Sequence, residues 1–284
     1  MSFVAGIFAS ITGGTSLLTV PVMLVAGMSA GDAVATNMLV ITSLSLGSVL
    51  RFRSAGVTSR NPTVGLVLVS LPGSLLGTHL AVGMNEAALR TVIAVALVGM
   101  TIVLALQPKL ASRPRASRTR AAGYAAMAVW AVYGGMYSGG YAMVLTQACV
   151  FFFGLSLLEA IAIAKVVNLA GSLAATVLFA SYRRVQWHVG LAMSATALAG
   201  GWLGAHLALR WGPQTLRRLL FVAVAGLRGH GASAENEGLT LRSRVSTTGS
   251  PMPTPPRTER LNARTANEGS CFITCESLLI ILRG

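Results

Sequence analysis

Charge is scarce in this chain, and acid is scarcest. Of 284 residues 11% are charged, and 8 are Asp or Glu. Up to Gly226 the only acids are Asp32, Glu86 and Glu159. A soluble domain carries about 25% charged residues, so this scarcity excludes one. Three cysteines provide no disulfide framework. Cys149 sits in an apolar run, and Cys271 and Cys275 have neither zinc-ribbon nor thioredoxin spacing. No nucleophile has an acid-base pair, no ligands cluster for a metal, and no phosphate loop carries Lys-Ser or Lys-Thr. An enzyme, ATP hydrolysis and any cofactor are therefore not expected. Alternating ten-residue segments are missing, which excludes a transmembrane barrel. The first residues, Met-Ser-Phe-Val-Ala-Gly-Ile-Phe, lack a basic region and read as part of a first span, not a cleaved signal.

What is present is apolar: 54% of residues are hydrophobic, in runs of the length a bilayer-crossing helix needs. The class this leaves is all-α, a polytopic transmembrane helix bundle in a cell (inner) membrane. The net charge of +14 does not point to nucleic acid. The basic residues fall between apolar runs without interleaved aromatics, as Lys and Arg do in cytoplasmic loops.

The unit is written twice. Residues 76–81 read LGTHLA and residues 203–208 read LGAHLA, an offset of 127. The same offset relates Asp32 to Glu159 and Leu89-Arg90 to Leu216-Arg217. Duplicated apolar units mark transporters whose pathway lies between repeats. Four spans are expected in a first repeat over 1–106, at 3–27, 32–50, 63–83 and 88–106. A basic linker, 107–121, separates these from a second repeat over 122–227, with spans at 122–145, 157–180, 187–209 and 215–227. The loops after the second, fourth and sixth spans hold ten Lys or Arg, against four on the other side (Arg90, Arg210, Arg217, Arg218). This predicts both termini in the cytoplasm. Four spans per repeat predicts two repeats sharing one orientation, about an axis along the membrane normal. The apolar pattern stops at Leu227, in mid-helix by the offset. The polar tail 228–284, with its Ser-Pro-Met-Pro-Thr-Pro-Pro, reads as disordered or as the product of an altered reading frame.

Four constellations are candidates for chemistry. Gly13-Gly14, followed by Thr15, and Gly139-Gly140, followed by Tyr141, interrupt apolar segments at matching places. Glycine pairs weaken helices, and broken helices at membrane depth face protein or a water-filled cavity. Freed amides at a half-helix N-terminus bind anions; close helix packing explains the same glycines equally well. Gly27-x-Ser29-x-x-Asp32 and Gly154-x-Ser156-x-x-Glu159 read first as capping boxes opening the second and sixth spans. Asn37 lies just past Asp32. Lys165, the one cation deep in a span, has Asn168 three residues on, on the same helix face. A buried ammonium must pair, lose its proton or line water, and beside two amide nests it suits a small anion. His79 and His206 follow Gly73-x-x-x-Gly77 and Gly200-x-x-x-Gly204, and read as packing and interfacial residues before proton relays.

These residues resemble the TauE/SafE family of membrane transporters, the sulfite exporters. The resemblance is carried by Ala9-Ser-Ile-Thr-Gly-Gly-Thr-Ser-Leu-Leu-Thr-Val-Pro21, Asp32-Ala-Val-Ala-Thr-Asn37, Gly139-Gly140, Glu159-Ala160, Lys165-x-x-Asn168 and the Gly204 motif, over roughly 1–226. It implies an inner-membrane permease for small sulfur-containing anions such as sulfite or organosulfonates. The chain departs from the family in a shorter first glycine cluster and an incomplete eighth span. The expectation is a secondary transporter working by alternating access. Its substrate site draws on Gly13, Gly14, Thr15, Asn37, Gly139, Gly140, Tyr141, Lys165 and Asn168. The partners expected are a small anion, the lipid bilayer and, as a candidate coupling ion, a proton. The alternative is a non-transporting scaffold or an inactive remnant.

Overall fold

The computed structural model describes residues 15–57, 60–110 and 120–210. All lie within the compact unit Met1–Leu220; a second unit is Phe221–Gly284. Among the described residues the chain is helical and has no strand. The helices are α1 (Thr15–Val25), α2 (Ala30–Ser54), α3 (Arg60–Gly83), α4 (Glu86–Leu110), α5 (Arg120–Met136), α6 (Tyr141–Phe153) and α7 (Leu157–Ser181). An eighth, α8, covers 187–210.

Three stretches are long and apolar enough to cross a membrane: Ala30–Ser54, Pro62–Gly83 and Leu157–Ser181. At 1.5 Å per residue, 25 residues span about 38 Å, more than the ~30 Å hydrocarbon core. The outer surface is apolar. Leu68, Val95, Val177 and Leu191 are each more than half exposed, which suits lipid and not water. Ser29 caps α2 by accepting from the Asp32 amide at 3.1 Å, and Ser156 caps α7 by accepting from the Glu159 amide at 3.3 Å. Both helices start where the Ser-x-x-acid pattern places them.

Side-chain contacts give the helix directions. Asp32, at the start of α2, lies 3.9 Å from Arg184, just past the end of α7. In mid-helix Thr42 donates to Ser172 and Asn168 donates to Ser45, both at 3.1 Å. Phe52, near the end of α2, packs with Ile161 and Ala162 near the start of α7. Helices α2 and α7 are therefore antiparallel. They form the central pair and hold half of the buried polar side chains among the described residues. The two ends of the bundle are named here for Arg51 and Asp32. Helix α4 starts at the Asp32 end, where Glu86 accepts from the Ala30 amide at 2.6 Å.

Helix α3 runs from the Arg51 end alongside α5, with Gly65 against Tyr124 and Thr78 donating to the Gly135 carbonyl at 3.1 Å. At Gly77 a Cβ would collide with the Val132 carbonyl, so glycine sets how closely these two helices approach. Helix α8 lies parallel to α2: Ser48 donates to the Gly201 carbonyl at 3.0 Å, and Arg51 reaches His206. Ser74 also donates to the Gly171 carbonyl at 2.9 Å, and a Cβ at Gly201 would strike the Leu44 carbonyl. Adding 127 to Ser74 and to Leu44 gives Gly201 and Gly171, so the offset exchanges these two contacts.

Two expectations are corrected. The apolar run 122–145 is not one span. The chain breaks after Met136 and turns at Tyr137–Gly140, with Ser138 at φ 63 and Gly140 at φ 75. It then returns as α6, whose Phe153 stacks edge-on against Tyr124 of α5 with ring centroids 5.2 Å apart. A glycine at 140 takes the left-handed conformation without a Cβ penalty. The second correction follows. A hairpin that returns to its own side contributes no net crossing, so the equivalent helices α2 and α7 run in opposite directions instead of sharing one. Arg183 and Arg184 accordingly lie at the opposite end from Arg51 and Arg53. The expected span 215–227 and tail 228–284 lie outside the described residues.

Candidate functional site

The tip of the α5–α6 hairpin reaches deep into the bundle. Tyr137 there is fully buried, and its hydroxyl donates to the Ser16 carbonyl at 3.3 Å. Ser16 belongs to the first turn of α1, two residues after Gly14. Gly13 and Gly14 themselves lie outside the described residues. The second break is thus held against the start of α1. Tyr133 donates to the Gly139 carbonyl at 2.5 Å, Met100 of α4 closes over Gly140, and Tyr141 packs buried against Gly134. The Tyr141 amide is spent on the Ser138 carbonyl at 3.2 Å. The amides of Gly139 and Gly140 have no hydrogen-bond acceptor among the described residues.

A second cluster joins α1 to α2. Asn37 is 1% exposed, and its Oδ1 accepts from the Thr19 hydroxyl at 2.5 Å. Its Nδ2 is buried without a hydrogen-bond partner among the described residues. Thr19 also lies 3.2 Å from the carbonyl of Thr15, one turn back. The sequence pointed to Asn37 and Thr15 but not to Thr19. The Thr15-x-x-x-Thr19 spacing, which puts both hydroxyls on one helix face, was the available signal.

Lys165 and Asn168 form a third group, on α7. Lys165 is 3% exposed and lies eight residues from the helix start, about 12 Å in. Asn168 is engaged across the α2–α7 contact by Ser45. The structure does not bring Lys165 level with Asn37. In the antiparallel register set by Ser45–Asn168 and Thr42–Ser172, Asn37 is about twelve residues along from Lys165, roughly 18 Å. Between them runs a polar seam of Thr42, Ser45, Ser172 and Thr176, in which Thr42 touches Ser172 at 3.1 Å and Thr176 at 3.3 Å. Sequence reading did not single out this seam, because hydroxyl residues are ordinary in membrane helices.

The histidines part company. His79 is exposed on the outer face of α3. His206 accepts from Arg51 at 3.0 Å and stacks on Trp202. Gly73 and Gly77 do pack tightly on α5, but Gly200 meets nothing, and Gly201 makes the close approach on α8. No cluster of metal-ligating side chains occurs among the described residues.

An apolar helical bundle with a broken hairpin at its centre and a buried polar seam defines the class: a polytopic membrane protein with a polar interior. Residues 1–228 match the family described as sulfite exporter TauE/SafE. The chain belongs to that family and is a membrane transporter. It is similar to a "Probable membrane transporter protein" of Haemophilus influenzae, 30% identical over 225 residues, covering 78% of this chain and 88% of that one. It is similar also to the "Probable membrane transporter protein YfcA" of Escherichia coli K12, 27% identical over 227 residues, covering 79% and 84%. A third relative, "Probable membrane transporter protein ORF9" of a Sinorhizobium species, is 25% identical over 228 residues, covering 80% and 87%. No solved structure matches the chain.

Proposed function

We propose that this transporter moves a small oxyanion, of the sulfite or organosulfonate type, by alternating access between two halves of inverted topology. The observation that carries the reading is the antiparallel α2–α7 pair, with a polar seam along it and the hairpin tip Tyr137 pinned to α1 beside it. Inverted repeats allow the same closure to form first at one end and then at the other, as one half rocks on its partner. In this account Asn37, with Thr15 and Thr19, serves the Asp32 end, and Lys165, with Asn168, serves the Arg51 end. The break at Gly139-Gly140, with Tyr141, lies between them, and Gly13-Gly14 is proposed from the sequence as its counterpart. An oxyanion takes N–H donors, which the Asn37 amide, the Gly139 and Gly140 amides and the Lys165 ammonium supply. A proton is the coupling ion proposed.

The Arg51 end faces the cytoplasm of a cell (inner) membrane in this reading. Arg51, Arg53, Arg60, Arg120 and Arg210 lie at that end, and the basic linker follows α4 there, against Arg90, Arg183 and Arg184 at the other. Cytoplasmic termini rest on four crossings per repeat and do not follow once the α5–α6 hairpin makes none. A second reading, an inactive or scaffolding copy, is favoured by the apolar run that stops at Leu227.

Radiolabelled sulfite flux in proteoliposomes tests the proposal. Saturable flux competed by an organosulfonate is expected, and Lys165→Met should reduce it at least tenfold with membrane insertion unchanged. Flux no greater than in empty vesicles, for sulfite and organosulfonates alike, would overturn the substrate class and favour the scaffold. Wild-type flux in the Lys165→Met variant removes Lys165 from the site.

A further inference from the structure

The two ends of the bundle treat their arginines differently. At the Asp32 end each described ion pair is internal: Arg90 with Glu86 at 3.0 Å and Arg184 with Asp32 at 3.9 Å. At the Arg51 end, Arg51, Arg53 and Arg210 have no carboxylate within 4.0 Å among the described residues. Glu159, the described acid at that end, pairs with none of them.

Arg51 is nonetheless held in place. Its Nε donates to His206 Nδ1 at 3.0 Å, and its Nη1 donates to Ser54 Oγ at 2.9 Å. A ring that accepts at Nδ1 is neutral and carries its proton on Nε2, so it presents a further donor. The indole of Trp202 lies flat on that ring, centroids 5.3 Å apart and planes within 8°. Trp202, His206 and Arg210 follow at successive intervals of four, along one face of α8. Trp202 is 45% exposed, in the same outer surface as exposed Leu198 and Leu203.

We propose that Arg51, His206, Arg210 and Trp202 form a headgroup site for an anionic glycerophospholipid of the leaflet at the Arg51 end. The outer N–H groups of Arg51, the Nε2–H of His206 and the guanidinium of Arg210 converge on a phosphate. Trp202 takes the depth at which indoles settle, between headgroup and acyl chain. Basic pockets between transmembrane helices bind anionic headgroups in this way. The apolar half of the site selects a lipid over free phosphate, which would use the arginines alone.

The test uses the full chain in nanodiscs of equimolar phosphatidylcholine and phosphatidylglycerol, followed by detergent extraction and assay of the lipid retained. Wild type should retain phosphatidylglycerol several-fold over phosphatidylcholine. Arg51→Gln with Arg210→Gln should abolish that preference, while Arg53→Gln, the loss of one charge on an exposed neighbour, should keep it. Trp202→Ala should lower retention with no change of charge, and it serves if the double variant fails to fold. Equal retention of the two lipids by wild type, or an equal loss in Arg53→Gln, would overturn the site. Displacement of the lipid by millimolar inorganic phosphate would reassign it to a free anion and overturn the lipid proposal.

Discussion

The hydroxyl of Thr19 has one proton and two acceptors in reach: Asn37 Oδ1 at 2.5 Å and the Thr15 carbonyl at 3.2 Å. Given to Asn37, that proton fixes the amide with its oxygen toward α1 and its NH2 away from it. The Nδ2 so presented is buried and has no partner among the described residues. A buried donor left unmade costs about 1–3 kcal/mol. In the site proposed above, an oxyanion would satisfy this donor on binding and offset that cost. Thr19 is then proposed to act through Asn37 as a positioning residue. Thr19→Val should raise the KM for sulfite about tenfold, the equivalent of ~1.4 kcal/mol, and leave the amount of inserted protein unchanged. Thr19→Ser, which keeps the hydroxyl, should restore the wild-type value. A Thr19→Ser KM as high as that of Thr19→Val would place the effect in packing and not in the hydrogen bond.

At the scale of elements, close approach rests on a few glycines. Gly77 lies where α3 meets α5, and any Cβ there would overlap the Val132 carbonyl, whereas Gly99 of α4 faces open space. Gly77→Ala should therefore destabilise the bundle by about 1–3 kcal/mol, the usual cost of overpacking. Gly99→Ala should be neutral or slightly stabilising, since alanine is the better helix former. Thermal unfolding in detergent distinguishes the two, and equal transitions would contradict the close approach of α3 and α5. Helices α2, α3, α7 and α8 were legible in the sequence to within a few residues, because their apolar runs fill the bilayer and serine caps mark two of the starts. The α5–α6 hairpin was not. Hydropathy records that 122–145 is apolar, but not whether the chain goes on or turns back. The turn is written in Ser138, Gly139 and Gly140, which also read as a packing motif.

At the scale of the whole molecule, that one turn decides the rest. Repeats sharing one direction would hold equivalent residues at one depth. Asn37 and Lys165, almost exactly one offset apart, would then share a site. In the antiparallel arrangement they stand toward opposite ends, roughly 18 Å apart along the pair. The candidate residues were thus mostly legible as polar interruptions of apolar helices, but their grouping was not, because grouping depends on direction. The arginines sort the same way: Arg183 and Arg184 join Arg90 at the Asp32 end, and Arg51, Arg53 and Arg210 share the other.

The proposed alternating access uses inverted halves about this seam, and direction can be measured without knowing the substrate. Single cysteines replacing Arg53 and Arg183, each in a chain whose native Cys149, Cys271 and Cys275 are changed to serine, are labelled in intact cells with a membrane-impermeant maleimide. The cysteine at 183 is expected to react from outside, and the cysteine at 53 only after the membrane is opened. Labelling of both from the same side would contradict the antiparallel pairing of α2 and α7, and with it the mechanism.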